Sequence, residues 1–162
     1  MSYLETGVLS LKDIKIPSDE RFWKGPVAVV ECVQRIPCNP CVDACSRGAI
    51  TIQGSVNNTP EVDFEKCNGC GICIANCPGL AIFLVDKMYE GNMALVGLPY
   101  EFLPLPEEDE EVVLLDRAGE ECGQGKVTKV RNAKAQDRTP IVFLAVDKAL
   151  AMKVRFFRRK KE

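Results

Sequence analysis

Eight of the nine cysteines fall into two runs. The first reads Cys32-x5-Cys38-x2-Cys41-x3-Cys45, and the second reads Cys67-x2-Cys70-x2-Cys73-x3-Cys77 with Pro78 directly behind it. A cubic 4Fe-4S cluster needs one outward thiolate per iron, so four cysteines must converge on a compact inorganic core. A loop with two residues between successive cysteines delivers three thiolates at once, and the fourth comes from elsewhere in the chain. Eight cysteines in this arrangement predict two clusters. Gly69, Gly71 and Gly79 fit a backbone wrapped round a cluster, where positive φ or close approach is needed, and Pro78 fixes the exit turn.

Other uses of cysteine fit less well. A disulfide framework belongs to secreted chains, yet Met1 to Leu11 lacks a basic segment followed by an apolar one, so no signal peptide is expected. Structural zinc sites pair Cys-x2-Cys knuckles set well apart, whereas Cys67, Cys70 and Cys73 crowd three thiols into one loop. The chain has no histidine, which removes Rieske ligation, mixed Cys/His zinc and histidine-based acid-base chemistry. Neither Cys41-x3-Cys45 nor Cys73-x3-Cys77 is followed by the third cysteine of a radical-SAM order.

The first run departs from the second. A copy would place a cysteine at position 35, where Arg35 stands; the available thiol is Cys32, with three extra residues looped out before Cys38. Lengthening a loop costs little entropy, and Pro37 and Pro40 stiffen the approach, which favours Cys32 as a ligand. The other reading makes Cys32 a buried thiol at the end of a strand Val27 to Val33, leaving an incomplete cluster. Ser46 replaces the proline that follows the last cysteine of the second run and alters packing, not ligation. Cys122 has no partner run and no histidine to activate it, and is read as an ordinary strand or loop residue.

The elements that must position these ligands repeat. Val27 to Cys32 reads as a strand, Val42 to Arg47 as a short helix, and Ala49 to Gln53 and Glu61 to Phe64 as paired strands; Ile74 to Asn76 then opens a second short helix and Ala81 to Val85 a closing strand. With Cys67-Asn68-Gly69-Cys70-Gly71-Ile72-Cys73-Ile74-Ala75-Asn76-Cys77-Pro78, this pattern resembles the two-cluster bacterial ferredoxin family over some sixty residues. In that motif the last cysteine of each run lies past its loop and ligates the other cluster. The resemblance implies that cluster one takes Cys32, Cys38, Cys41 and Cys77, and cluster two takes Cys67, Cys70, Cys73 and Cys45. A fold with so few large apolar residues depends on its metal, and the apo form is expected to be largely unfolded.

Around this module, residues 26–87, the rest divides into an N-terminal arm (1–25), a small β domain (88–154) and a basic tail (155–162). The β domain rests on short apolar runs separated by Gly and Pro: Met93 to Leu98, Tyr100 to Leu103, Val112 to Leu115, Lys126 to Arg131, Ile141 to Val146 and Val154 to Phe157, with a hairpin at Asp116 to Gly119 and helical character only at Lys148 to Lys153. The expected class is α+β, a ferredoxin-like two-cluster 4Fe-4S module followed by a small mainly-β barrel or sandwich. No nucleotide-binding glycine motif, phosphate loop or catalytic dyad is present, so the chain is expected to be non-catalytic. Net charge is -2, which makes no case for nucleic acid. No stretch approaches the roughly 18 apolar residues of a membrane helix, and a cytoplasmic location is expected. Glu107 to Glu111 reads as a solvated acidic loop, and the tail, with Arg155, Arg158, Arg159, Lys160 and Lys161, as a frayed basic terminus that could grip an acidic partner.

More than half the chain lies outside the cluster module, which favours an electron-transfer subunit of a larger oxidoreductase over a diffusible ferredoxin or a structural metal module. Ile36-Pro37-Cys38-Asn39-Pro40-Cys41, with Gly125-Lys126-Val127-Thr128-Lys129-Val130-Arg131-Asn132 and Thr139-Pro140-Ile141-Val142, resembles the small iron-sulfur subunits of multi-subunit flavin-dependent amino-acid or imino-acid dehydrogenases of the proline, hydroxyproline and opine types. That resemblance implies FAD-containing dehydrogenase subunits as partners, with FMN and a 2Fe-2S protein also in the assembly, and no substrate residues in this chain.

Overall fold

Successive side chains of a strand face opposite ways, so a strand buried at every position must lie between two cores. The computed structural model, which describes residues 2–160, has several such stretches. Among them are β1 (Val27–Val30), the first half of β4 (Ile82–Glu90), and all but the last residue of β8 (Ile141–Asp147). Val27, Val29, Phe83, Val85, Val142, Leu144 and Val146 point to one core. Their alternates Ala28, Val30, Ile82, Leu84, Ile141 and Phe143 point to the other, together with Cys41, Cys73 and Ile74.

The first core belongs to a seven-stranded antiparallel sheet, with β5 (Met93–Pro99), β6 (Glu111–Leu115), β7 (Glu121–Arg131) and β9 (Phe156–Arg159) completing the order β1-β4-β5-β8-β7-β6-β9. Every strand contributes to that core, including Val112 and Leu114 of β6, Val127 of β7 and Phe157 of β9. One core touched by all seven strands requires the sheet to curl around it as an open barrel.

The second core lies on the outside of the curl, under the cysteine-rich loops. These carry α3 (Pro40–Asp43), the small pair β2 (Ile50–Thr51) and β3 (Glu61–Val62), and α4 (Ile72–Asn76). α1 (Tyr3–Thr6) and α2 (Asp19–Phe22) start the chain, and 3-10 turns occupy Lys134–Gln136 and Lys148–Leu150.

The iron-sulfur region and the β region are thus continuous. Position 87/88, where the two were expected to part, falls inside β4, and β1 and β4 serve as barrel strands while their outer faces carry the cluster loops. Tyr100 to Leu103, expected as a strand, is a loop; Tyr100 keeps one backbone bond, to the Pro140 carbonyl. The Asp116 to Gly119 hairpin forms as expected, the Gly119 amide donating to the Asp116 carbonyl.

Of the arm, Ile14 and Phe22 pack into the barrel core while Leu4, Val8, Leu11 and Ile16 stay exposed. The two charged runs meet each other: Glu110 pairs with Arg159, Glu111 with Lys160, and Asp109 with Lys126. Antiparallel β6 and β9 place the end of the acidic run beside the basic tail, while Glu107 and Glu108 stay exposed. Lys161 of the tail lies outside the described residues.

The free edges β1 and β9 approach through side chains. Glu31, directly after β1, accepts from Arg155 Nε at 2.6 Å and, through both carboxylate oxygens, from Arg117 at 2.6 and 2.9 Å. Glu31 and Arg155 are buried. Burial pulls the Arg155 guanidinium down to about 10, with Glu31 drawing it back up, so it stays charged at neutral pH. Its Nη2 is the buried side-chain polar atom with no partner among the described residues, and the guanidinium lies 4.9 Å over the Phe83 ring.

Candidate metal centre

The loops bring the eight cysteines together as two sets of four. The Cys41 thiol is raised to about 11 by burial and by its neighbours Cys77, Cys32 and Cys38. Cys32 is likewise raised by burial, then by Cys77 and Cys38. Cys73 is pushed up to about 12 by burial and by Cys67, Cys70 and Cys45. Cys45 and Cys77 therefore each sit with the opposite run. Thiols held this far up are protonated in the metal-free chain, so loading must displace protons.

Local geometry explains the crossing. Each run turns into a short helix, α3 or α4, and the two helices pack on each other, which carries the residue past each helix toward the other loop. Backbone amides point at the sulfurs: Ala49 N donates to Cys45 Sγ at 3.3 Å, Ala28 N to Cys67 Sγ at 3.4 Å and Ala81 N to Cys77 Sγ at 3.4 Å. Cys45, Cys67, Cys70 and Cys73 line one cleft, whose remaining wall includes the small residues Ala28, Ala44, Ala49 and Gly71.

Among the described residues no three Cys, Asp or Glu side chains converge closely enough to hold a single metal ion. Four thiols around a larger inorganic core stand wider apart than the roughly 3.8 Å between sulfurs that a tetrahedral ion with 2.3 Å bonds requires. Small walls and sulfur-directed amides around four thiols fit a 4Fe-4S core.

Gly69 and Gly71 have φ of 70° and 77°, as a loop wrapped on a cluster demands. Gly79 does not; the left-handed residue there is Leu80, at φ 51°, while a Cβ on Gly79 would lie 4.0 Å from Cys77 Sγ. Of the two, Gly69 is the more constrained, because an added Cβ would sit 2.6 Å from the Pro26 carbonyl oxygen. Gly69→Ala should cost about 1–3 kcal/mol from backbone strain alone and lower iron content, whereas Gly91→Ala, at φ 48° with open space around it, should keep full iron. Iron per chain and thermal midpoint check both.

Three supporting residues had no local signature. Buried Arg21 donates to the carbonyls of Phe64, Gly25, Pro26 and Cys67, the last at 2.6 Å, placing a cation behind the Cys67 loop. Arg131 of β7 reaches the Cys70 carbonyl at 2.8 Å and lies over the Phe143 ring. Glu31 adjoins Cys32 and ties it to the barrel seam. Cys122 lies in β7, partly buried against the barrel core and away from both thiol sets.

Residues 32–81 match the family described as 4Fe-4S dicluster domain. A ferredoxin-type protein NapF of Haemophilus influenzae is 36% identical over 75 residues, 43% of this chain and 43% of that protein. A subunit of the ion-translocating oxidoreductase complex of Methanosarcina acetivorans is 43% identical over 49 residues, 30% of this chain and 17% of that one. Pyruvate synthase subunit PorD of Methanothermobacter marburgensis is 38% identical over 47 residues, 29% of this chain and 51% of that one. The matched region spans well under two thirds of each relative, and no solved structure matches significantly. Residues 32–81 are a ferredoxin-type 4Fe-4S domain.

Proposed function

We propose that this chain is a non-catalytic electron-transfer subunit that relays single electrons through two 4Fe-4S clusters inside a multi-subunit oxidoreductase. The observation that carries the reading is the pair of crossed thiol sets: Cys32, Cys38, Cys41 and Cys77 for cluster one, and Cys45, Cys67, Cys70 and Cys73 for cluster two. Bound there, the clusters supply one-electron redox chemistry. The chain does the rest. Amides of Ala28, Ala49 and Ala81 stabilise thiolate charge, Arg21 sets a buried cation behind Cys67, and Ile141 and Phe143 of the barrel help close the core beside Cys73.

Relatives named as subunits of larger oxidoreductases support the assembly. The finer reading, an assembly whose FAD-containing subunits oxidise an amino or imino acid, rests on the runs around Cys38, Lys126 and Thr139. A cytoplasmic setting, where thiols stay reduced and available to metal, belongs to the same reading. Among the described residues no helix is long and apolar enough to cross a membrane. A diffusible ferredoxin is the second reading, favoured by one feature: the β region is partly spent on holding the cluster loops, so its presence alone does not require a partner.

The experiment is anaerobic purification with iron and sulfide analysis, electron paramagnetic resonance and identification of co-purifying chains. About eight irons per chain are expected, and Cys32→Ser should lose one cluster and fall to about four. Cys32→Ser with unchanged iron would remove Cys32 from the ligand set; zinc in place of iron would sink the relay.

A further inference from the structure

The relay reading, on which this inference rests, does not say where electrons cross the surface. Cys70 is the exposed member of the nine cysteines. Arg47 and Ile72, itself 44% exposed, line the same cleft. Arg131 anchors the Cys70 carbonyl from β7, Lys129 shares its sheet face two residues earlier, and the 3-10 turn against α4 brings Lys134 to the same edge. Among the described residues none of these four cations is in an ion pair, whereas Arg158, Arg159 and Lys160 of the tail all are.

No acidic residue occurs between Cys67 and Val85. Of the acids on adjoining segments, Asp137 follows the turn, Asp43 of α3 is engaged by Asn39, and Asp63 and Glu65 before the loop are paired with Lys66 and Lys24. Like charges gathered without counter-charges repel one another, a cost that a complementary surface removes. An apolar side chain ringed by cations over an exposed ligand loop also has the make-up of a protein interface: a desolvated centre with a polar rim.

We propose that the Cys70 edge, ringed by Arg47, Lys129, Arg131 and Lys134, is the port at which the acidic face of a redox partner protein docks on cluster two. One electron crosses there per encounter, with no bond made or broken and no proton transferred.

The test uses anaerobically reduced holoprotein: wild type, an Arg47→Glu/Lys134→Glu double variant, and a Lys148→Glu control. Lys148 lies past the far end of β8, about 20 Å from Ile141 by strand rise. Reoxidation is timed with two probes, ferricyanide, an anion reduced to ferrocyanide, and hexaamminecobalt(III), a cation reduced to cobalt(II). At low ionic strength the double variant should react at least about fivefold more slowly with ferricyanide and faster with the cobalt complex. The control should match wild type, and the differences should vanish near 0.5 M salt.

Calorimetry with poly-L-glutamate gives a readout independent of electron transfer, with affinity expected to fall at least about fivefold in the double variant. Full iron with unchanged rates, a control that shifts them equally, or tighter binding of polyuridylate than of poly-L-glutamate at the same residues would overturn the port alone. Wild type without iron would overturn the relay and the port with it.

Discussion

Replacing Glu31 by alanine should cost about 3–5 kcal/mol of unfolding free energy and open the seam between β1 and β9. The reason is where the charges sit. Glu31 is 8% exposed and Arg155 6%, so removing the carboxylate leaves the Arg155 guanidinium in a place water does not reach. That guanidinium already has one unpartnered nitrogen and leans on the Phe83 ring; without Glu31 its remaining polar contacts are the carbonyls of Ala151 and Val154. Arg117 is better placed to recover, since its side chain retains 12% exposure and a bond to the Met152 carbonyl.

Two comparisons separate a clasp from an ordinary buried pair. Arg117→Ala should cost less than Arg155→Ala, because only the latter takes away the fully buried partner. Replacing all three by apolar residues of similar size should recover much of the loss, since an ion cluster removed whole leaves no stranded charge. Urea unfolding of the anaerobic holoprotein reads the free energies, and hydrogen exchange at β9 reads the seam. A Glu31→Ala loss below about 1 kcal/mol would mean the edges are held by the shared core alone. Because the Glu31 amide also donates to the Ala81 carbonyl and Cys32 is next in sequence, the disturbance should reach the first thiol set before the second.

The parts of this molecule visible in its sequence are those set by local spacing. The cysteine runs, their short helices, the Asp116 to Gly119 turn and the apolar runs of β5, β6 and β8 depend on residues a few positions apart, and the structure places each close to where the pattern put it. Contacts spanning long separations are not visible there. Glu31 meets partners 86 and 124 residues away, and Arg131 meets Cys70 across 61. The strands β1 and β4 mislead for a different reason: buried on both faces, they read simply as apolar runs, so nothing local says that one face serves the clusters and the other a barrel. Each charged run, taken alone, has the look of a free surface, while β6 and β9 lay the two side by side.

Stripping the iron should unfold the cysteine loops and leave the barrel standing, a narrower outcome than the general collapse expected of a small ferredoxin-type fold. The loops between β1 and β4 have little else to hold them: α3 and α4 are 4 and 5 residues long, β2 and β3 are 2 residues each, and the core beneath them includes Cys41 and Cys73 among its buried members. Elements so short do not persist without an external tie, and the thiols are that tie. The barrel core contains no thiol ligand among its fully packed side chains, with Val27, Val85, Val96, Leu98, Val112, Leu114, Val127 and Leu144 all fully buried. Anaerobic chelation after mild oxidation, followed by hydrogen exchange, should therefore show fast exchange throughout 32–81 and retained protection in β5, β7 and β8. β1 and the first half of β4 should fall between these limits, since their outer faces lose the cluster loops while their inner faces keep the barrel. Loss of protection in β8 at the same rate as in α4 would show that the two cores form one cooperative unit, because β8, though distant in sequence from the cysteine loops, also has alternate residues in both.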